Sequence, residues 1–349
     1  MMWLSRPLFF GLLSMLLAAC GPRAPIGQEA YVFGTRVELL VWGTPEAQAH
    51  AAMGEVLGEF DRLHRRYHAW QPSELTALNE AIAAGRPHAI SEELAQLIRT
   101  AQTLSARGDH LFDPGIGRLV ELWGFHGEEF KPALPDAAAL EKLVATRPSI
   151  GKLTLDGRRL ASADFSVALD FGGYLKGVAL DRAAAILKQR GIANALINIG
   201  GNVLALGSKG GTPWRVGIQH PRATASGGLP LATLELRDGE AIGTSGDYQR
   251  YFEVDGQRYC HLIDPRTGRP AQDTQALTVL IAPQTDVGML SDVLSKPLFV
   301  AGDDWPALAQ KLGTTQVLRV DAAGKITVTA ALRDRLAFEA GNRGIEVVE

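Results

Sequence analysis

Near Gly151 the hydrophobic period of this chain changes, and the change limits the architectures open to it. Before that point apolar residues recur at helical spacing; after it they fall into short alternating or continuous runs. The helical stretches are Pro45 to Arg65, capped by Thr44 and carrying Ala52, Val56, Leu57, Phe60 and Leu63 on one face, and a turn with a short helix from Trp70 to Asn79. Glu92 to Ala106 follows, capped by Ser91 and stopped at Gly108, then a short helix within Gly115 to Gly124 and another over Asp136 to Arg147. One early strand is expected over Glu29 to Trp42, around Gly34. Beyond Gly151 the expected strands are Leu153 to Leu155, Val167 to Asp170, Ala195 to Ile199, Trp214 to Gln219, Leu231 to Leu236 and Leu277 to Ala282. Two helices interrupt them, Lys176 to Arg190, ended by Gly191, and Thr285 to Gly302. Strands and helices mixed without regular βαβ alternation predict an α+β fold. Its strand-rich C-terminal half, about 151–349, forms the base of a cleft that a helix-rich half, about 29–150, covers.

A chain of 349 residues with 46% hydrophobic and 21% charged residues buries a core without a metal or disulfide staple. Lysine plus arginine is 35 against 38 acidic residues, for a net charge of −3, which excludes a nucleic-acid backbone reader with its basic excess. The start of the chain is a targeting segment. Met1 to Arg6 carries one cation, and Pro7 to Ala19 is an apolar run too short to span a bilayer. The run closes in Leu17, Ala18, Ala19, Cys20 and Gly21, which resembles the lipobox of bacterial lipoproteins. The resemblance implies a signal peptide over 1–19, lipidation of Cys20, a tether over 20–28, and an exported protein anchored to a bacterial membrane, facing the periplasm or the cell exterior. Cys260 is then the remaining thiol, without an internal partner, and reads as a small buried hydrophobe rather than a nucleophile. Without CxxC or HExxH, zinc has no support.

Asp170-Phe-Gly-Gly-Tyr-Leu-Lys176-Gly177 joins an expected strand to a helix through glycines and places a lysine at the helix start, a pattern suited to an anion. Neither a GxxxxGK[ST] loop nor a GxGxxG in the required context accompanies it, and the Asp-Phe-Gly string lacks the other kinase segments. Read alone, the stretch is equally a glycine-lined corner with Lys176 in solvent. Asn198-Ile-Gly200-Gly201 ends a strand in two glycines. His261, three residues before Asp264-Pro265, stands at a loop edge and serves either packing or proton transfer. Asp292 and Lys296 lie at i and i+4 on one helical face, where the default is a weak salt bridge.

Together these segments resemble the ApbE family of FAD:protein FMN transferases, over nearly the whole mature chain. The resemblance begins at Phe33-Gly34-Thr35, continues through Trp70 and Ser73-Glu74-Leu75 to Asn79, and includes Leu111-Phe112-Asp113-Pro114 and Leu119 to Phe125. Its strongest parts are Asp170 to Asp181, Asn198 to Gly201, Thr244 to Tyr251 and His261 to Pro270. It implies an enzyme that binds FAD with magnesium on the diphosphate, transfers FMN to a threonine or serine of an acceptor protein, and releases AMP. Position by position, it implies that Phe33, Trp70, Leu111, Phe112, Asp113, Asp170, Lys176 and Ile263 line FAD. Gly173 would offer a backbone carbonyl and Asp292 a carboxylate to the metal, and His261 would activate the acceptor hydroxyl. The implied partners are acceptor subunits of membrane redox complexes, beside which a lipid anchor would hold the enzyme.

Two departures stand out. Lys296 occupies the position of the family's metal-ligating threonine and has no lone pair for a metal. Either it points away and water completes the metal shell, or its ammonium takes the metal's place at the diphosphate. Pro297 follows it and is expected to disturb the helix. Gly115 replaces a common threonine, removing a hydroxyl near the expected flavin site. Two other readings keep the same site: an FAD-binding lipoprotein without transfer activity, and an FAD pyrophosphatase that uses water as nucleophile.

Overall fold

The computed structural model describes residues 24–127, 130–222, 228–339 and 344–349. The signal segment and Cys20 lie outside the described residues. The fold is α+β, built on a nine-stranded sheet whose spatial order follows the chain. Its strands are Ile26–Val32, Thr35–Val41, Ala195–Ile199, Asn202–Leu206, Ala241–Gly246, Thr274–Ile281, Val317–Asp321, Ile326–Thr329 and Glu346–Val348. Neighbours run antiparallel except the last pair, which is parallel. Strand Thr274–Ile281 is buried along its whole length, as a central strand covered on both faces must be.

The single strand expected over Glu29 to Trp42 is a hairpin. Phe33 (φ 57°) and Gly34 (φ 68°) both take the left-handed region, the conformation a two-residue turn needs to match the strand twist. Strands 202–206, 241–246, 317–321 and 326–329 are not expected from the sequence: each is only four to six residues long, and 241–246 is broken by two glycines. The Val167 to Asp170 run makes only a bridge, Ala168 with Ile116, and is buried by packing rather than by a ladder.

Seven helices matter to the site: α1 (Glu46–Arg66), α2 (Glu74–Ala83), α3 (Glu92–Arg107), α4 (Gly117–Leu122), α5 (Ala137–Thr146), α6 (Leu175–Gln189) and α7 (Val287–Val300). Thr44 does not cap α1; Pro45 holds that position without a side-chain hydrogen bond, its fixed φ suiting a helix entry. Ser73 and Thr76 form a reciprocal capping box on α2, and Ser91 caps α3 through the Leu94 N–H.

One face of the sheet packs against α1, α3, α6 and α7 in the main core. The other face is covered by a three-stranded sheet, Trp214–Ile218, Ala232–Leu236 and Leu336–Phe338. A separate aromatic cluster gathers Trp123, Phe125, Phe252 and Ile263. Among the described residues no helix is long and apolar enough to cross a membrane.

Two glycines let α7 approach its neighbours. A Cβ on Gly177 of α6 would lie 2.7 Å from the Asp292 Cβ, and one on Gly243 would lie 2.2 Å from the Ser291 carbonyl oxygen. This clamps the Asp292–Lys296 segment between α6 and the sheet. Asp181 of α6 fixes its start by accepting from the Gly288 and Met289 N–H groups, each at 2.8 Å.

Candidate active site

Phe171 O accepts from both the Tyr174 N–H (2.9 Å) and the Leu175 N–H (2.8 Å), turning the chain into α6. The Gly172 N–H goes to Asp170 Oδ1 (2.7 Å) and the Gly177 N–H to Asp292 Oδ2 (2.9 Å). The donors on which an anion cradle would rest are therefore largely occupied from within, and positive side chains supply the attraction instead. Lys176 is half-buried rather than free in solvent: burial lowers its pKa, Lys296 and Arg250 lower it further, and Asp292 resists.

Asp292 is fully buried on α7, and its Oδ1 lies 2.6 Å from Lys296 Nζ. Lys296 also donates to the Asp292 carbonyl at 2.7 Å. Burial works against the Asp292 charge, but Lys296, Lys176 and the Gly177 N–H outweigh it and hold the carboxyl below its ordinary value. Lys296 thus does not point away: its stem crosses Gly173, where a Cβ would come within 2.8 Å of Lys296 Cε. The helix continues through Pro297 to Val300.

His261 follows the hairpin Tyr251–Val254 and Gln257–Cys260. Its backbone N–H donates to Arg250 O (3.1 Å), and its ring Nδ1 lies 3.2 Å from the same oxygen. A carbonyl only accepts, so Nδ1 carries the proton and Nε2 keeps its lone pair. Burial pulls the ring pKa down to about 3, helped by the cations Arg250, Lys176 and Lys296. The imidazole is therefore neutral near pH 7, the state a base requires. Cys260 beside it is buried, with its thiol pushed up to about 12, and is a core residue.

Arg250 was not singled out from sequence, although it lies within the Thr244 to Tyr251 stretch. It reaches across to Phe125 O (2.8 Å) and Gly127 O (3.3 Å), its guanidinium lies over the Phe130 ring, and its charge faces Asp170. Burial pushes the Asp170 carboxyl up, against the Gly172 N–H, Arg250 and His68. His68 and His64 also escaped the sequence reading. Their rings lie 5.0 Å apart, with His64 edge-on to Phe33 at 5.7 Å, and Trp70 packs near His126 at 5.6 Å. Their i, i+4 spacing at the end of a helix was the available signal.

The expected site residues separate by exposure. Phe33, Trp70, Asp170, Gly173, Lys176, His261 and Lys296 keep part of their surface open. Leu111, Phe112, Asp113 and Ile263 are buried and form the wall, while Asp292, also buried, pairs with the partly open Lys296. Phe112 packs 6.3 Å from Tyr174, while Ile263 belongs to the aromatic cluster around Trp123. Asp113 accepts from the Gly115 and Ile150 N–H groups, each at 2.8 Å, and from the Ser149 hydroxyl. A Cβ on Gly115 would lie 2.2 Å from the Ile150 nitrogen, so this glycine allows the 113–115 and 149–150 loops to touch. A threonine at this position would force the two loops apart.

An α+β frame that holds a neutral imidazole under the charges of three cationic side chains has the chemistry to attract an anion and to accept a proton. Residues 33–318 match the family model described as the ApbE family, and the chain belongs to that family. A curated relative from Rhodobacter capsulatus, named FAD:protein FMN transferase, is 42% identical over 92% of this chain, which spans 60% of that protein's length. One of the same name from Klebsiella pneumoniae is 31% identical over 88% of each chain. The crystal structure of the ApbE protein from Thermotoga maritima superimposes with a TM-score of 0.79 at 29% identity, covering 89% of this chain and 99% of that one.

Proposed function

We infer that this chain is an FAD:protein FMN transferase, moving FMN from FAD to a threonine or serine hydroxyl of an acceptor protein and releasing AMP. The observation that carries the reading is His261, neutral with Nε2 unprotonated, beside Lys176, Lys296 and Arg250. FAD binds with its diphosphate toward these cations. The acceptor hydroxyl attacks the flavin-side phosphorus, Nε2 of His261 takes its proton, and the bond from that phosphorus to the bridging oxygen breaks, so that AMP leaves with the oxygen. The cations hold the developing negative charge in place. The diphosphate also raises the basicity of His261 by offsetting the charges that depress it, so the base strengthens once substrate is bound.

Magnesium, which the sequence resemblance implies, does not fit the donors present. Asp292 is already engaged through both oxygens, and among the described residues no group of three or more His, Cys, Asp or Glu side chains could hold a metal. No step here is routed through a metal. The Leu17 to Gly21 pattern supports export, lipidation at Cys20 and a position beside membrane-bound redox acceptors.

The test is AMP release from FAD with and without a threonine-bearing acceptor domain, with in-gel flavin fluorescence of the acceptor. AMP released in step with labelled acceptor is the expected result. AMP released equally without acceptor would make the chain a pyrophosphatase, and bound FAD with neither product would make it a flavin carrier.

A further inference from the structure

Lys296 is set into the site as a fixed part of it. Its side chain is 12% exposed and that of Asp292 2%, so the pair is withdrawn from water. Two of the three ammonium donors are committed, to Asp292 Oδ1 at 2.6 Å and to the Asp292 carbonyl at 2.7 Å, which leaves one for a ligand. Gly173 supplies the groove for the lysine stem, since a Cβ there would meet Lys296 Cε at 2.8 Å and Cδ at 3.2 Å. On the other side the Gly177 N–H closes Asp292 Oδ2. A magnesium ion needs several oxygens at about 2.0–2.1 Å in a near-octahedral set. On Asp292 it would compete with the ammonium for the same carboxylate, and two cations on one carboxylate repel strongly where water is excluded.

The charge count favours the lysine. The charges of Lys176, Lys296 and Arg250 all act on His261, and against these three cations stand two carboxylates, Asp292, paired to Lys296 at 2.6 Å, and Asp170, which faces Arg250. That leaves an excess of positive charge suited to the negative diphosphate. We propose that the Lys296 ammonium replaces the divalent cation at the FAD diphosphate, so that this chain binds FAD and transfers FMN without a metal. The proposal rests on the transferase reading and concerns how the same site neutralises its substrate.

The experiment compares FAD affinity, by flavin fluorescence, and single-turnover AMP release onto the acceptor, in EDTA and in excess magnesium chloride, for the wild-type chain and Lys296→Thr. Wild type is expected to give the same affinity and rate in both buffers. Lys296→Thr should bind FAD about ten- to a hundredfold more weakly in EDTA, the loss of one charge-assisted hydrogen bond, and recover in magnesium. Titration of magnesium alone into the wild-type chain should show no saturable binding. Wild-type affinity or turnover that collapses in EDTA and returns with magnesium would overturn the proposal while leaving the transferase reading intact. Tight FAD binding in EDTA with no labelled acceptor in either buffer would overturn the transferase reading and leave only the metal-free binding, whereas label that appears in magnesium alone would overturn the proposal. The wild-type comparison decides the matter even if the variant does not fold.

Discussion

Asp113, expected to line FAD, and Asp292, expected to hold the metal, are both buried carboxylates, and they are held in opposite ways. Asp113 accepts from two backbone N–H groups and from the hydroxyls of Ser105 and Ser149, tying the 113–115 turn to the 149–150 loop. Asp292 accepts one backbone N–H and an ammonium, and a second lysine and an arginine stand nearby. A carboxylate consumed by the main chain fixes architecture, because the groups it satisfies can find no other partner. One paired with side-chain cations leaves those cations able to face a substrate. The wall and the reactive face of the cleft thus use the same residue type for different work.

The sharpest way to break this distinction is at the reactive face. His261→Ala should lower transfer by about 10²–10⁴-fold, the usual contribution of a positioned base, while FAD still binds. In the wild type, the acid limb of kcat/KM should fall well below pH 6.5, because the ring of the free enzyme titrates near 3. The same depression has a stability consequence: the unfolded histidine binds a proton below about 6.5 and the folded one does not, so its contribution is complete above that pH and drains away toward 3. Acid unfolding of His261→Ala should accordingly be shallower over that window.

On the wall side, Asp113→Ala should cost about 3 kcal/mol in urea unfolding, since it strands buried donors, and added FAD should stabilise it no more than wild type. Asp292→Asn should behave differently. It leaves buried cations without their counter-charge, so FAD should raise its melting temperature by more than it raises that of the wild type. Equal FAD increments in both variants would dissolve the comparison. Smaller still, Asp181→Ala should cost about 1–2 kcal/mol by exposing the start of α7, and Ser73→Ala about 1 kcal/mol through the α2 cap.

Much of the frame was legible because it depends on local signals. Ser91 and Gly108 bound α3, and the long helices follow their apolar faces. What escaped depends on long-range placement. The Phe33-Gly34 turn hides in an alternating run because its left-handed phenylalanine gives no compositional warning. Val167 to Asp170 looks like a strand but has no partner edge beyond one bridge. In the site, the charges of Lys176 and Lys296 act on both His261 and Asp292, yet the direction of Lys296 is decided by Gly173, 123 positions earlier. Arg250 becomes a site residue because Phe125, Gly127 and Phe130 pack against it, which no local pattern encodes.

The most direct test of the account is tandem mass spectrometry of an acceptor threonine after incubation with FAD, read against the amount of AMP formed. The account predicts FMN attached through its phosphate to that threonine, one AMP for each labelled acceptor, and neither product from His261→Ala. Labelled acceptor at wild-type yield from His261→Ala, or AMP with an unmodified threonine, would contradict it.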